Sequence, residues 1–525
     1  MEFPLLSLII WLPLVGALTV ALIPKDNKQA IQTAAVATTV AGLGLGVWLF
    51  TGFKQGEAAM QMVEAYEWIP AIGARYIVGI DGISLFMVLL TLFMFPIAIL
   101  ASLGQIQDRL KAYAIFMLIL ESAILGAFCA LDLLLFFFFW EAMLVPMYFL
   151  IAGWGGKRRV YAAIKFFLYT MLGSAFLLVA IFLLAWMHQK QTGSISFDLH
   201  SLLDLEIARS TQLWLFIAFS VSFAIKVPVF PLHTWLPDAH TEAPTAGSVV
   251  LAAVLLKLGT YGFLRYSIPL FPKATVELAG VLVVLGVIGI VYGAILCLKQ
   301  SDIKRLVAYS SVSHLGFVVL GIFALTFQGI QGGLLQMLNH GVATGALFLL
   351  VGMIYERRHT REIDEFGGLA SKMPVFAGLF LVTVFASIGL PGMGGFIGEL
   401  LILAGTFLRN PWIAAAAATG VILAAVYLLW AYQRVFTGKI DNEENERLSD
   451  IGAKEILVVV PLVVLMLFVG FFPRYFLDRT EPSVRQVLTR VEEKGHYREP
   501  EIPDPVAAAE KPAGGDSHGG HGAMP

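Results

Sequence analysis

Charge is what this 525-residue sequence has least of. Only 14% of its residues are Asp, Glu, Lys or Arg, and 58% are hydrophobic, whereas an ordinary soluble domain is roughly 25% charged. The 35 basic and 37 acidic side chains nearly cancel, giving a net charge of -2. No basic surface remains to recruit nucleic acid. Cysteine is almost absent too: Cys129 and Cys297 stand alone in apolar runs with no CxxC pairing, which excludes an iron–sulfur or structural zinc site built by this chain. No haem signature is present. The only glycine-rich candidate for a phosphate loop, "GLPGMGGFIG", lacks a preceding strand and a following Lys-Ser/Thr. The opening "MEFPLLSLIIWLPLVGALTVALI" has neither a basic n-region nor a small-residue cleavage site, so it reads as a retained first span rather than a signal peptide. What remains is apolar, with a mean hydropathy of +0.80. The chain is expected to be a polytopic membrane protein, all-α, in which the few remaining charges carry information.

Apolar windows near 20 residues predict about fourteen transmembrane helices. The seventh, near 212–231, and the twelfth, near 374–405, contain helix breakers. Odd-numbered loops hold most of the basic residues, Lys157, Arg158, Arg159, Lys304, Arg305, Arg357, Arg358 and Arg361 among them. Even-numbered loops hold chiefly Lys54, Arg75, Lys190, Arg209 and Lys273. The excess of Lys and Arg inside then places the odd loops in the cytoplasm and both termini on the outer, periplasmic face. The outer segment "YEWIPAIGARYIVGI" predicts a short β-hairpin around a glycine turn, and "DGIS" leads into the third helix. After residue 476, Val484, Leu488 and Val491 recur at helical spacing and predict an amphipathic helix over 477–496. Residues 497–525 are compositionally disordered. His518 and His521 in that tail fit a flexible end better than a metal site.

Against this background, ionisable residues within the spans stand out. Glu121, Glu141, Lys226, Lys257, His314, His340 and Glu399 fall in separate apolar segments. Each costs about 2.5–3.5 kcal/mol at mid-membrane, so each is expected to face a partner or a hydrated cavity. Any one alone could be a polar clamp between helices. Seven together, unpaired, would cost on the order of 15–25 kcal/mol, and a polar axis through the core is the economical way to hold them. Lys257, with apolar residues on both sides, is poorly placed to snorkel. The two interrupted spans share a layout. In "FAIKVPVFPLHTWL", Lys226 precedes the break at Pro228 and Pro231; in "GLPGMGGFIGELL", Glu399 follows the break at Pro391 and Gly392. Broken helices at corresponding places point to two inverted five-helix repeats with a site at mid-membrane.

The blocks "GIDGIS", "FFFFWEAMLVPMYFLIAGWGG", "YAAIKFFLYT", "KVPVFPLHTWLPDAHTEAPTAGSVVLAAVLLKLGTYG", "DIKRLVAYSSVSHLG" and "GLPGMGGFIGE" resemble the antiporter-like proton-pumping subunits of respiratory complex I. Cation/proton antiporters of the Mrp type share much of the pattern. A Glu at 399, where the L and N types and the Mrp relatives usually have Lys, matches the M type. The resemblance implies an organisation of 1–110 (helices 1–3 with the outer hairpin), 111–270 and 271–440 (first and second proton half-channel repeats), 441–476 (helix 14), 477–496 (amphipathic helix) and 497–525 (tail). It implies that Glu141 pairs with Lys226, that Lys257, His314 and His340 continue a central axis, that Glu399 is its terminal group and that Glu121 is an auxiliary acid. It also implies a bacterial inner-membrane location and L- and N-type membrane-arm partners, which the terminal helix helps to contact. NADH, FMN, Fe–S clusters and quinone would belong to partner subunits, leaving no metal, cofactor or redox site in this chain. A Na+/H+ antiporter subunit and the membrane subunit of a hydrogenase-type complex are the alternatives.

Overall fold

The computed structural model describes residues 3–500. Twelve helices are long and apolar enough to cross a membrane. Two further crossings are each made of two shorter helices, Arg209–Lys226 with Trp235–Glu242, and Pro374–Ser387 with Gly394–Arg409. These are the expected seventh and twelfth spans, so the count of fourteen stands. Five crossings reverse the direction of a sixth, so the two breaks, five spans apart, lie in oppositely directed segments, as inverted repeats require.

Burial divides the spans into an inner set and an outer set. The eighth (Thr245–Leu270), tenth (Ile303–Phe323) and eleventh (Phe327–Arg358) are buried almost along their whole length. The second (Lys28–Gly52) and fourteenth (Ala453–Phe471) are only 28% buried. Outer spans can present apolar side chains to lipid on one side. Inner spans have no such face, and that is where Lys257, His314 and His340 lie.

Short side chains start the helices. Asp81 accepts hydrogen bonds from the Ile83 and Ser84 amides at the third span (Gly82–Ser102). Asp132 does the same for the fifth (Leu133–Trp154) through Leu134 and Leu135. At the thirteenth (Pro411–Phe436), Asn410 accepts from Trp412 and Ile413. Such caps satisfy amides that have no partner within the helix. Asn410→Ala is expected to destabilise the bundle by about 1 kcal/mol, seen as a lower midpoint in thermal unfolding of the detergent-solubilised protein. An unchanged midpoint would mean that water replaces the cap at no cost.

The hairpin forms as expected. Strand β1 (Gln61–Ile69) pairs antiparallel with β2 (Ala74–Ile80). Glu64 on β1 accepts from the Leu6 amide at 2.7 Å, tying the start of the first span (Leu5–Leu22) to the sheet. The amphipathic helix runs over Arg474–Gly495 and buries Phe476, Val484, Leu488 and Val491. Its apolar face packs on this chain's own third, ninth (Pro272–Cys297) and eleventh spans. The Gly82 amide donates to Ser483 Oγ at 3.1 Å, and Arg490 donates to the Pro269 and Leu203 carbonyls. Ordered contacts run past the expected boundary at 496: Tyr497 donates to the Leu325 carbonyl, and Glu499 accepts from the Phe327 amide. His518 and His521 lie outside the described residues. The hairpin, the first residues of span one and the Arg474–Gly495 helix thus share one end of the bundle, the hairpin end. The opposite, basic end carries the Lys- and Arg-rich loops.

Candidate functional site

Each ionisable residue singled out from sequence is buried inside the bundle, except Glu141, which is half-buried. Four of them form a line across four spans. Lys257 Nζ donates to the Ala252 carbonyl at 2.5 Å and lies 2.6 Å from His340 Nδ1. The His340 and His314 rings are 6.0 Å apart, centre to centre. His314 Nδ1 lies 3.2 Å from Glu399 Oε1, which also accepts from Gln336 Nε2 at 3.0 Å. Tyr427 closes the far side, its hydroxyl 3.5 Å from His314 Nε2. The eighth, eleventh, tenth and twelfth spans each supply one titratable side chain.

Local backbone explains how two of these groups are aimed. The eighth span is not a plain helix. π-Helical turns at Leu251–Leu255 and Phe263–Ser267 flank a short α segment, Lys257–Gly262. Each wide turn inserts a residue and rotates the helix beyond it, and the Lys257 ammonium folds back onto the Ala252 carbonyl of the first one. The same segment packs very closely on the seventh span. A Cβ at Gly259 would lie 2.7 Å from the Phe223 carbonyl, so only glycine fits there. In the twelfth span the break runs from Ile388 to Met393, with Gly389 at φ +72° and Gly392 at φ +91°. Gly389 approaches the Glu399 carboxylate so closely that a Cβ would stand 3.1 Å from Oε2. Pro391 and Gly392 therefore lie where the sequence placed the interruption, and Pro228 and Pro231 lie in the corresponding non-helical stretch of the seventh span.

The expected Glu141–Lys226 ion pair is not closed. No contact within 4 Å joins them, and neither the Lys226 ammonium nor Glu141 Oε1 has a hydrogen-bond partner. Lys226 instead sits over the Trp140 indole, 4.7 Å from the ring centre, and the indole N–H donates to Ser174 Oγ. The physical reason is the tryptophan beneath the ammonium: a cation over an aromatic face recovers part of its lost hydration without a carboxylate. Glu121 is fully buried with both oxygens unpartnered, facing Gly42 of the second span. It stands apart from the Lys257–Glu399 line.

Several participants are not evident from sequence. Gln336 precedes His340 by four residues, and that spacing puts both on one helix face, a signal that is present in the sequence. Arg265 resembles an end-of-span cation. It is buried, paired with Asp81, and also donates to the Tyr261 hydroxyl. Lys304 reads as a loop charge; its ammonium is buried and donates to the Ala243 carbonyl. His240 is fully buried and carries no local signal beyond its presence in the seventh-span block.

Residues 130–424 match the family described as "NADH:quinone oxidoreductase/Mrp antiporter, TM". The chain is 46% identical over 497 residues to NADH-quinone oxidoreductase subunit M of Rhodobacter capsulatus, covering 92% of this chain and 96% of that protein. It is 44% identical over 484 residues to NADH-ubiquinone oxidoreductase chain 4 of Marchantia polymorpha, covering 92% and 97%. Among solved structures, a chain of respiratory complex I from Thermus thermophilus with bound NADH superposes with a TM-score of 0.84 at 33% identity, covering 93% of this chain and 99% of that one. A chain of the Mrp complex from Dietzia sp. DQ12-45-1b shares the fold, with a TM-score of 0.79 at 20% identity, covering 94% and 99%.

Proposed function

Because the chain belongs to the NADH:quinone oxidoreductase/Mrp antiporter family, as an antiporter-like membrane subunit of complex I, we propose that it moves protons across the bilayer along the Lys257–His340–His314–Glu399 line. The observation that carries this reading is the line itself: titratable groups from four spans in or near hydrogen-bond contact inside an apolar bundle. A protein that only needed helix clamps would not align them. A water between the His340 and His314 rings, bridging as a direct hydrogen bond would, completes the relay.

Glu141 and Lys226 act as the switch. Two unit charges brought to 4 Å at an effective dielectric constant near 20 gain about 4 kcal/mol. Moving one charge against 100 mV costs about 2.3 kcal/mol. Closing and reopening this gap is therefore large enough to drive a proton step. The open gap over Trp140 is one position of the switch, and swinging Glu141 toward Lys226 is the other. Pro228 and Pro231 keep the seventh-span backbone open beside it. Glu121, facing the outer second span, is an auxiliary acid that responds to charge arriving from a neighbour. NADH oxidation and quinone reduction belong to partner subunits with their FMN and Fe–S clusters, and L- and N-type membrane-arm chains flank this one. The protein spans the bacterial inner membrane with the basic end in the cytoplasm and both termini on the periplasmic side.

The test is NADH-driven acidification of inverted membrane vesicles containing the assembled complex, with and without sodium. Acidification should be abolished by a protonophore and indifferent to sodium. Lys226→Ala should reduce it severalfold with the complex still assembled. Undiminished acidification in Lys226→Ala vesicles, or a strict sodium requirement, would sink the reading.

A further inference from the structure

Trp140 and Glu141 are consecutive on the fifth span, so the helix presents them about 100° apart. The two side chains cannot face Lys226 together from one helix position. In this structure the indole holds the place, 4.7 Å below the Lys226 ammonium, which has no hydrogen-bond partner. The helix itself grips this turn loosely. The Met143 amide reaches the Phe139 carbonyl at 3.3 Å, and the Met147 amide reaches the Met143 carbonyl at 3.4 Å, both longer than an ordinary backbone bond. Something outside the fifth span must therefore keep the ring, rather than the carboxylate, beneath the lysine.

Ser174 of the sixth span (Arg159–Thr192) does this. Its Oγ accepts from the Trp140 indole N–H at 3.1 Å, and its own hydroxyl donates to the Thr170 carbonyl at 3.0 Å. The second bond uses the hydroxyl hydrogen, so the oxygen meets the indole purely as an acceptor. Both side chains are buried. Phe136 and Phe223 confine the ring, 5.4 and 5.5 Å away between centres, but they carry no polar atom to orient it. The sixth span comes close enough because Gly173 has no side chain. A Cβ there would stand 3.0 Å from Ser222 Cα and 3.0 Å from Ile225 Cδ1 of the seventh span. Ser174 follows Gly173 and Lys226 follows Ile225, so one tight helix contact sets both the lysine and the hydroxyl that orients its aromatic seat.

We propose that Ser174 is the catch of the Glu141–Lys226 switch: its oxygen fixes the Trp140 indole beneath Lys226, and this bond must open before Glu141 can take the ring's place. The assignment rests on the switch reading above and adds two positioning residues to it. Neither carries the proton; Ser174 acts on Lys226 only through Trp140. With the catch engaged, the ammonium rests on the ring face and stays apart from the carboxylate. With it released, the indole N–H has no acceptor, the seat loosens and Glu141 closes on Lys226. A neutral hydroxyl suits a contact that breaks in every cycle, because a charged acceptor would hold the indole about twice as strongly.

The same inverted vesicles provide the test, with acidification normalised to NADH oxidised. Ser174→Ala should lower normalised acidification about 5- to 30-fold, the change in open-to-closed ratio that follows from losing a cation–π seat. Ser174→Thr, which puts the hydroxyl back, should recover most of it. Trp140→Phe keeps a ring and removes the N–H, so it should be impaired too, and adding Ser174→Ala to it should cost nothing further. Wild-type acidification in Ser174→Ala would overturn the proposal. So would an equal further loss in the Trp140→Phe background, which would leave Ser174 as packing. If Ser174→Ala does not assemble, Trp140→Phe breaks the same bond from the other side and decides: a severalfold loss supports the catch, and wild-type acidification overturns it. Lys226→Ala in the same preparation separates the two readings. Loss there with retention in Ser174→Ala rejects only the catch, and retention in Lys226→Ala rejects the switch itself.

Discussion

Lys257→Met is expected to abolish NADH-driven proton uptake while the complex still assembles. Methionine is unbranched and close to lysine in length, so it fills the space left by the lysine without overpacking. What it removes is the group that lies 2.6 Å from His340 Nδ1 and 2.5 Å from the Ala252 carbonyl. Two polar atoms then lose their partner, at about 1–3 kcal/mol each. The ammonium's own desolvation cost, at least about 2.5 kcal/mol in mid-membrane, disappears at the same time. The two effects largely offset, and that is why function should fail without loss of the fold. Among the described residues, no other side chain donates to His340 Nδ1, so the line ends there. Vesicle acidification and quinone reduction measured side by side check this. Acidification near the wild-type level with Met at 257 would mean that protons bypass the eighth span.

Arg265→Met should be the most damaging single change to stability. The guanidinium is only 6% exposed and its partner Asp81 only 1%. Breaking a buried pair from one side typically costs about 3–5 kcal/mol, because it strands the other charge. Asp81 keeps its cap bonds from Ile83 and Ser84, so the lower half of that range is expected. The Tyr261 hydroxyl loses a donor as well. Thermal unfolding of the solubilised protein measures the loss. Arg265→Met with Asp81→Asn should be more stable than Arg265→Met alone, since the stranded charge is gone; the coupling between the two sites isolates the pair. A single-variant loss below about 1 kcal/mol would show that water reaches Asp81.

Much of this molecule is legible in its sequence because a bilayer leaves few options. Apolar length fixes the spans, and charges too costly to leave in lipid announce the axis. Lys257, His314, His340 and Glu399 are each conspicuous for that reason, and the structure brings them together. The Pro–Gly interruption before Glu399 is visible for a similar reason, since proline and glycine mark backbone that leaves the helix. The hidden features depend on small rotations and on partners distant in sequence. The π turns around Lys257 have no residue signature. Trp140 taking the place of Glu141 beneath Lys226 depends on how the fifth and seventh spans approach. Lys304 reads as a loop charge and Arg265 as an end-of-span cation, and only tertiary packing buries them. The terminal helix announces an apolar stripe but not which surface covers it.

That terminal helix sets a timetable for the nascent chain. The Gly82 amide and Ser483 hydroxyl that meet at the hairpin end are 401 positions apart. At roughly 5–20 residues per second of synthesis, the start of the third span waits on the order of 20–80 s for its lid. The early spans can insert and pair during that interval. Their hairpin-end residues stay uncovered until Arg474–Gly495 emerges and docks. Latching the hairpin end is therefore among the last steps of biogenesis. A ribosome that stalls before residue 474 would leave a protein with nearly all its crossings in place and this end still open.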